Sequence, residues 1–333
     1  MPSIVTWSWN NELVKLAVIG LGFMGSTHVK AARALPGLEL AMCSRDPRKL
    51  SGDFSDIRGN IGDAGGKVDL SGVAKYGDIG AVLADPTVNA VDLCLPTEMH
   101  ERVAIDALRA GKHVLVEKPM ALDGAAAGRM IEEADRQQRT LMAAQVIRFW
   151  PEYAALRDTL RSGRLGVLRG AVFRRRCAAP AWGTWAGGGA FDLLIHDVDF
   201  VLQLLGKPEA LSASGACDDE AGIDLLHATF FYPSGVDVLI TGGWLNRGAH
   251  PFSMEFTATF DRDTVEYSTA SGAGVLNCPP DRAYAAEIEY FARCCAGQPN
   301  ELCPARESAE AIDLLRLALA ARSRRGEKIA CAI

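Results

Sequence analysis

The residues best equipped for chemistry lie in the run Gly187-Gly188-Gly189-Ala190-Phe191-Asp192-Leu193-Leu194-Ile195-His196-Asp197-Val198-Asp199. A helix starting after the glycines places Asp192 and His196 four residues apart on one face, with Asp199 three further on. An imidazole beside a carboxylate, at the mouth of a Gly-rich turn, is suited to taking a proton off a hydroxyl. Lys118, in Glu117-Lys118-Pro119 at the end of a strand, adds an ammonium that can bond the hydroxyl oxygen and stabilise a developing alkoxide. Each residue also has a plainer reading. An acid early in a helix caps it, a histidine can be a satisfied core residue, and a lysine at a strand end can simply be solvated.

Moving a proton off a hydroxyl oxidises nothing unless a hydride also leaves, and the first half of the chain offers an acceptor site. Gly20-Leu21-Gly22-Phe23-Met24-Gly25 follows a short apolar run and opens a helix. In that context the first glycine allows a tight turn, the second lets backbone approach a pyrophosphate, and the third lets helix and strand pack closely. The helix N-terminus then supplies amide hydrogens and partial positive charge. Where an acid would bind the ribose 2′-hydroxyl of NAD, this chain has Ser44 and Arg45. A hydroxyl and a guanidinium suit a 2′-phosphate, so NADP is expected to be preferred over NAD. Asp46 complicates that reading, but it fits better as the cap of a helix beginning at Pro47. His100, after Leu95-Pro96-Thr97, stands at a strand-to-helix turn where it could touch cofactor or substrate. No histidine or cysteine spacing signals a metal, so direct hydride transfer is expected, with no metal ligands.

Several elements must position these groups. Val14 to Ile19, Leu38 to Cys43, Ala90 to Leu95, His113 to Val116 and Leu141 to Ile147 read as buried strands. Helices are expected from about Met24 to Leu35, through Val103, Ala104, Ala107 and Leu108, and from Ala121 to Gln137. This alternation predicts a doubly wound parallel sheet, an α/β Rossmann domain over 12–147. Ser51 to Gly72 reads as a long loop or insertion. Beyond it, 148–333 forms a second, α+β domain. Helices at Pro151 to Arg161 and around Asp192–His196 are followed by strands at Leu225 to Tyr232, Val236 to Trp244, Ser253 to Phe260 and Thr264 to Tyr267 in an antiparallel or mixed sheet. A last helix carries Ile312, Leu315 and Leu319.

Composition narrows the partners. The 333 residues are 49% hydrophobic and 23% charged, ordinary for a chain with a full core. A formal net charge of -6, with Arg174-Arg175-Arg176 as the one dense basic cluster, argues against nucleic acid or an anionic membrane as partner. Nine cysteines form no Cys-x-x-Cys pair, which fits a reducing, cytoplasmic setting. Met1 to Asn11 lacks the pattern of a secretory signal, and no stretch approaches the length of a membrane span.

Taken together, Gly20-x-Gly22-x-x-Gly25, Leu95-Pro96-Thr97 with His100, Glu117-Lys118-Pro119, Arg148-Phe149 and Gly188-Gly189 to His196 resemble the Gfo/Idh/MocA family. The resemblance covers nearly the whole chain. It implies a Rossmann domain followed by an α+β domain whose open, largely antiparallel sheet often builds a homodimer or homotetramer. It also implies a nicotinamide cofactor and sugar or cyclitol chemistry. By position, Lys118 becomes the substrate-orienting lysine, Asp192 its acidic partner and His196 the acid/base, and the Lys118–Pro119 bond is cis in relatives. Glu117 and Gln145 join the expected cofactor contacts, Gln145 standing where relatives often have Asn or His. Arg174 or Arg176 could read an acidic substituent of the substrate, and Trp182, Trp185 and Trp244 could supply apolar ring contacts. Two other readings stay open. One is a redox-neutral glycosidase or epimerase that retains its cofactor, and the other is a sensor that binds dinucleotide without chemistry.

Overall fold

A computed structural model of the chain describes residues 14–58, 65–180, 188–275 and 281–332. In chain order these form β1 (Val14–Ile19), α1 (Phe23–Arg33), β2 (Leu38–Cys43), α2 (Pro47–Leu50), β3 (Ala74–Tyr76), α3 (Ile79–Ala84), β4 (Ala90–Leu93), α4 (Thr97–Arg109), β5 (His113–Glu117), α5 (Gly124–Gln137) and β6 (Leu141–Ala144). Then follow α6 (Pro151–Ser162), β7 (Leu168–Cys177), α7 (Gly188–Leu205), β8 (Ala210–Asp218), β9 (Ile223–Phe231), β10 (Asp237–Trp244), β11 (Ser253–Phe260), β12 (Thr264–Ser268), α8 (Asp281–Cys295), α9 (Ala305–Ala321) and β13 (Ile329–Ala330). Packing divides them into two units. One holds the described residues up to Glu117 with Met130–Ala144 and Tyr284–Glu301. The other holds Lys118–Arg129, Gln145–Ala283 and the described residues from Leu302 onward.

The first unit contains a six-stranded sheet in the order β3-β2-β1-β4-β5-β6, with every neighbouring pair parallel. Strands of such a sheet are covered on both faces, so they read as continuous apolar runs; β4 and β6 are buried at every position. The strand order reverses between β1 and β4, the place where a sheet of this kind opens a crevice at its carboxyl edge. β3 and α3 escape a reading by hydrophobicity, because β3 is three residues long and carries Lys75. Ser51 to Gly72 is not a free loop throughout. Phe54 is fully buried and Asp53 bridges Lys67, while residues 59–64 fall outside the described residues.

Several expected boundaries move. β4 stops at Leu93. β6 stops at Ala144 and passes into a 3-10 turn at Val146–Arg148. α5 starts at Gly124, where the carboxylate of Asp123 accepts from the Ala126 amide (2.8 Å) and ends the preceding loop.

The second unit is built on a seven-stranded sheet in the order β12-β11-β7-β10-β9-β8-β13. β7 and β10 run parallel and the other pairs antiparallel, so the sheet is open and largely antiparallel. Strand β7 alternates, with Ala171, Phe173, Arg175 and Cys177 turned inward and Arg174 and Arg176 outward. Phe173 meets Phe200 of α7 edge-on at 6.0 Å, and Tyr153 of α6 meets Phe200 and Phe256 at 4.9 and 5.1 Å. These rings fasten helix α7, which carries the candidate chemistry, to the sheet. No helix among the described residues is long and apolar enough to cross a membrane.

Candidate active site

In the first unit the glycine turn is built as its three roles require. Gly20 has φ +92°, and a methyl there would lie 2.4 Å from the Cys94 carbonyl oxygen. A methyl on Gly25 would lie 1.8 Å from the Gly20 oxygen, whereas one on Gly22 would meet nothing within 4 Å. The amides of Phe23 and Met24 open α1, where no intrahelical partner exists, and Gly22 provides no side-chain cap. No acid occupies that first turn. Close packing on two sides and open backbone amides on the third fit a dinucleotide pyrophosphate.

At the end of β2, Ser44 Oγ accepts from the Asp46 amide (3.1 Å). Asp46 caps α2 by accepting from the Arg48 amide (2.9 Å), as its place before Pro47 predicts, and pairs with the Arg48 guanidinium at 3.0 Å. That hydrogen bond holds Asp46 below the usual carboxylate range. Arg45 stays exposed. At the β4–α4 turn Pro96 is exposed and Leu95 half-buried beside Gly20, while Thr97 is buried at the start of α4. His100 is buried and its Nε2 donates to the Leu95 carbonyl (2.8 Å), so its ring shapes the turn from beneath.

Beneath the same turn lies a buried polar cluster that the spacing of its members does not announce. His28 Nδ1 is 2.7 Å from Asp92, its Nε2 is 3.2 Å from Glu117, and Cys94 Sγ is 3.6 Å from both His28 and Asp92. Burial alone would depress His28, but the adjoining Asp92 and Cys94 raise it well above 6.5. The structure thus places Glu117 against His28 inside the first unit.

The second unit brings Lys118 and Asp192 together. The Lys118 ammonium donates to Asp192 Oδ1 (2.7 Å) and to the Asp192 backbone oxygen (3.0 Å). The two side chains keep 16% and 22% exposure, enough for solvent to reach them. The Lys118–Pro119 bond is cis. His196 follows one turn later on α7. Its Nδ1 is buried and has no hydrogen-bond partner among the described residues, which leaves Nε2 as the nitrogen to meet a hydroxyl. Burial, then the charges of Lys118 and Arg175, push His196 well below 6.5, so the imidazole is neutral at pH 7.

Other residues fall elsewhere. Asp199 shares the helical face but sits two turns on, about 10 Å along the axis, fully buried against Arg148 at 2.6 and 2.8 Å. It is a core ion-pair member. Arg174 is turned to the outer face of the sheet and pairs with Glu255 at 3.2 Å, so the structure does not bring it to Lys118, Asp192 and His196; Arg176 shares that face. Trp244 is buried with Cys177 and Leu193, which makes it core rather than a ligand contact. Trp182 and Trp185 lie outside the described residues. Gln145 is buried, and its Oε1 lacks a hydrogen-bond partner among the described residues.

The sequence reading missed Arg175, whose guanidinium is buried and held in a fork by Asp197 at 3.0 and 3.0 Å. In the sequence the three arginines read only as a basic cluster, with Arg174 or Arg176 as candidate substrate contacts. The signal was the alternation Phe173-x-Arg175-x-Cys177, which places one of the three on the apolar side.

Comparison with known proteins agrees with this architecture. Residues 14–145 match the model described as "Oxidoreductase family, NAD-binding Rossmann fold", and residues 153–263 match the GFO/IDH/MocA C-terminal domain. An uncharacterized oxidoreductase of Rhizobium meliloti is 30% identical over 233 residues, 66% of either chain. Trans-1,2-dihydrobenzene-1,2-diol dehydrogenase of Mus musculus is 34% identical over 169 residues, 48% of this chain and 50% of that protein. The matched region therefore spans from half to just under two thirds of these relatives. The crystal structure of scyllo-inositol dehydrogenase from Lactobacillus casei, with bound NAD(H) and scyllo-inositol, superposes with a TM-score of 0.77 at 20% identity, covering 97% of this chain and 100% of that one. With both halves matched in order, the chain belongs to the GFO/IDH/MocA oxidoreductase family, whose N-terminal domain is an NAD-binding Rossmann fold.

Proposed function

We propose that this protein is a dehydrogenase that moves a hydride between a nicotinamide dinucleotide and a secondary alcohol or carbonyl of a sugar, cyclitol or related polyol. The observation that carries the reading is the Lys118 ammonium, held by the carboxylate and the backbone oxygen of Asp192, one turn from a neutral His196. In the oxidative direction His196 takes the hydroxyl proton on Nε2. Lys118 bonds the same oxygen and stabilises the negative charge that grows on it, and Asp192 keeps the ammonium in place. The carbon–hydrogen bond electrons leave as hydride and the oxygen becomes a carbonyl. The nicotinamide, when bound, supplies the hydride acceptor. The Gly20–Gly25 turn and the first-turn amides of α1 would hold its pyrophosphate, with Leu95, Pro96 and Thr97 along the neighbouring turn. Glu117 and His100 act on that site by bracing its turns.

NADP is the preferred form in this reading. The acid near Ser44 is occupied by α2 and Arg48, and Arg45 remains exposed to meet a 2′-phosphate. The first unit takes the dinucleotide, and the second, which includes Lys118, takes the polyol and builds a homodimer or homotetramer. The test follows reduced-nicotinamide absorbance with pooled sugars, cyclitols and sugar acids, comparing NADP with NAD, for the wild type and Arg45→Ala. The expected outcome is faster turnover with NADP, lost selectively in Arg45→Ala. Turnover with NAD alone would remove the cofactor assignment. No turnover by protein that binds dinucleotide would remove the dehydrogenase.

A further inference from the structure

Helix α7 holds Asp192 and His196, and its first turn rests on residues that the reaction scheme does not use. Asp224, on β9, accepts from the Ala190 amide through Oδ2 (3.0 Å), so a strand carboxylate caps the helix. Asp224 is itself held by Arg322, whose guanidinium bonds Asp224 Oδ1 and also reaches the Leu225 carbonyl (3.3 Å). The seat is tight on every side. Gly188 has φ +80°, and a methyl there would lie 2.3 Å from Asp224 Oδ2. A methyl on Gly189 would enter the Trp244 indole at 2.2 Å, and one on Gly243 would lie 1.9 Å from the Asp224 carbonyl oxygen. Trp244 and Asp224 are paired directly across β10 and β9. The Gly188-Gly189 pair is therefore a packing requirement of this seat.

Two residues beyond Ala190, Asp192 receives Lys118 on its backbone oxygen as well as its carboxylate. A side-chain rotamer can adjust, but a carbonyl in the first turn moves only with the helix. The position of the helix start thus sets where the ammonium stands.

We propose that Asp224, clamped by Arg322, is a positioning residue for the Lys118–Asp192 pair. The proposal rests on the dehydrogenase reading for its effect on turnover, and it has a second readout that does not. Amine-directed labelling, read by peptide mass spectrometry, gives the reactivity of Lys118 relative to Lys207, an exposed lysine paired with Glu310. General loosening raises both, whereas loss of the Asp192 grip raises Lys118 alone. In Asp224→Ala the Lys118/Lys207 ratio is expected to rise about threefold as a charge-assisted bond loosens. The same variant should lose about tenfold in kcat with the dinucleotide KM unchanged, since small misplacements of a positioned group are felt in turnover. Asp224→Asn keeps an acceptor for the Ala190 amide but turns its NH2 toward Arg322, so both values should fall between those of Asp224→Ala and wild type. Should Asp224→Ala fail to accumulate, Arg322→Gln reads the same ratio and is expected to raise it. A ratio unchanged in Asp224→Ala, or in Arg322→Gln where that variant stands in, overturns the proposal. A rise that Asp224→Asn does not lessen overturns it equally, whether or not the wild type oxidises any polyol in the pool. Absent wild-type turnover removes the dehydrogenase reading separately.

Discussion

His196 is held without a carboxylate on its buried Nδ1 among the described residues, and two cations, Lys118 and Arg175, oppose its protonation. This makes the imidazole a ready proton acceptor at neutral pH. Replacing it with alanine should lower kcat by roughly 10²–10⁴, the range for loss of a positioned acid/base, with dinucleotide affinity unchanged. A loss below about tenfold in steady-state assays would remove it from the proton path. The pH dependence follows from the direction of the shift. Oxidation needs the neutral ring, so kcat/KM for oxidation should hold as pH falls through 6.5 and drop only below it, at the depressed value. Reduction needs the imidazolium and should decline as pH rises through that same depressed value. An acid limb for oxidation centred at or above 6.5 would contradict the electrostatic account.

At the level of elements, two glycines at the start of α1 behave differently under the same substitution. Gly25→Ala forces a methyl against the Gly20 carbonyl oxygen and should destabilise by about 1–3 kcal/mol, seen as a lower Tm. Gly22→Ala meets nothing in the free protein and should leave Tm nearly unchanged while weakening dinucleotide binding, because its methyl occupies the approach to the helix amides. Equal effects of both on Tm, measured by calorimetry with and without dinucleotide, would sink the distinction. Strand–turn–helix β1–α1 was legible in the sequence because a fully covered parallel strand is a continuous apolar run. Strand β7 was not, because Arg169 and three consecutive arginines hide an alternating pattern. Strand β8 was missed for another reason: Ala210 to Asp218 is mostly small and polar, and only its neighbours make it a strand.

Across the whole chain, the contacts that local pattern cannot reveal are pairs distant in sequence. Asp192 and His196 could be read from one helix, but Lys118 reaches Asp192 across 74 positions. Asp199 shares that helical face, but its partner, Arg148, lies 51 positions away, itself tied to Glu307 across 159. Arg148 and Asp199 are fully buried, so removing one partner strands a charge. Arg148→Met should therefore destabilise by about 3–5 kcal/mol and lower Tm by on the order of 10 °C. Arg174→Ala, which breaks a partly exposed pair with Glu255, should change stability by less than about 1 kcal/mol. Thermal unfolding of the two variants side by side checks this, and similar losses would mean the buried pair is not the stronger fastening.

In the proposed reaction a hydride passes from a polyol carbon to the nicotinamide while its hydroxyl proton goes to His196. The most direct measurement supplies sugars and cyclitols deuterated on carbon, with NADP, and reads the reduced cofactor by mass spectrometry. One deuteron per reduced cofactor, taken from substrate carbon, is expected, with no such product from His196→Ala on the same time scale. Reduced cofactor without deuterium, or a polyol rearranged with no net cofactor reduction, would contradict it.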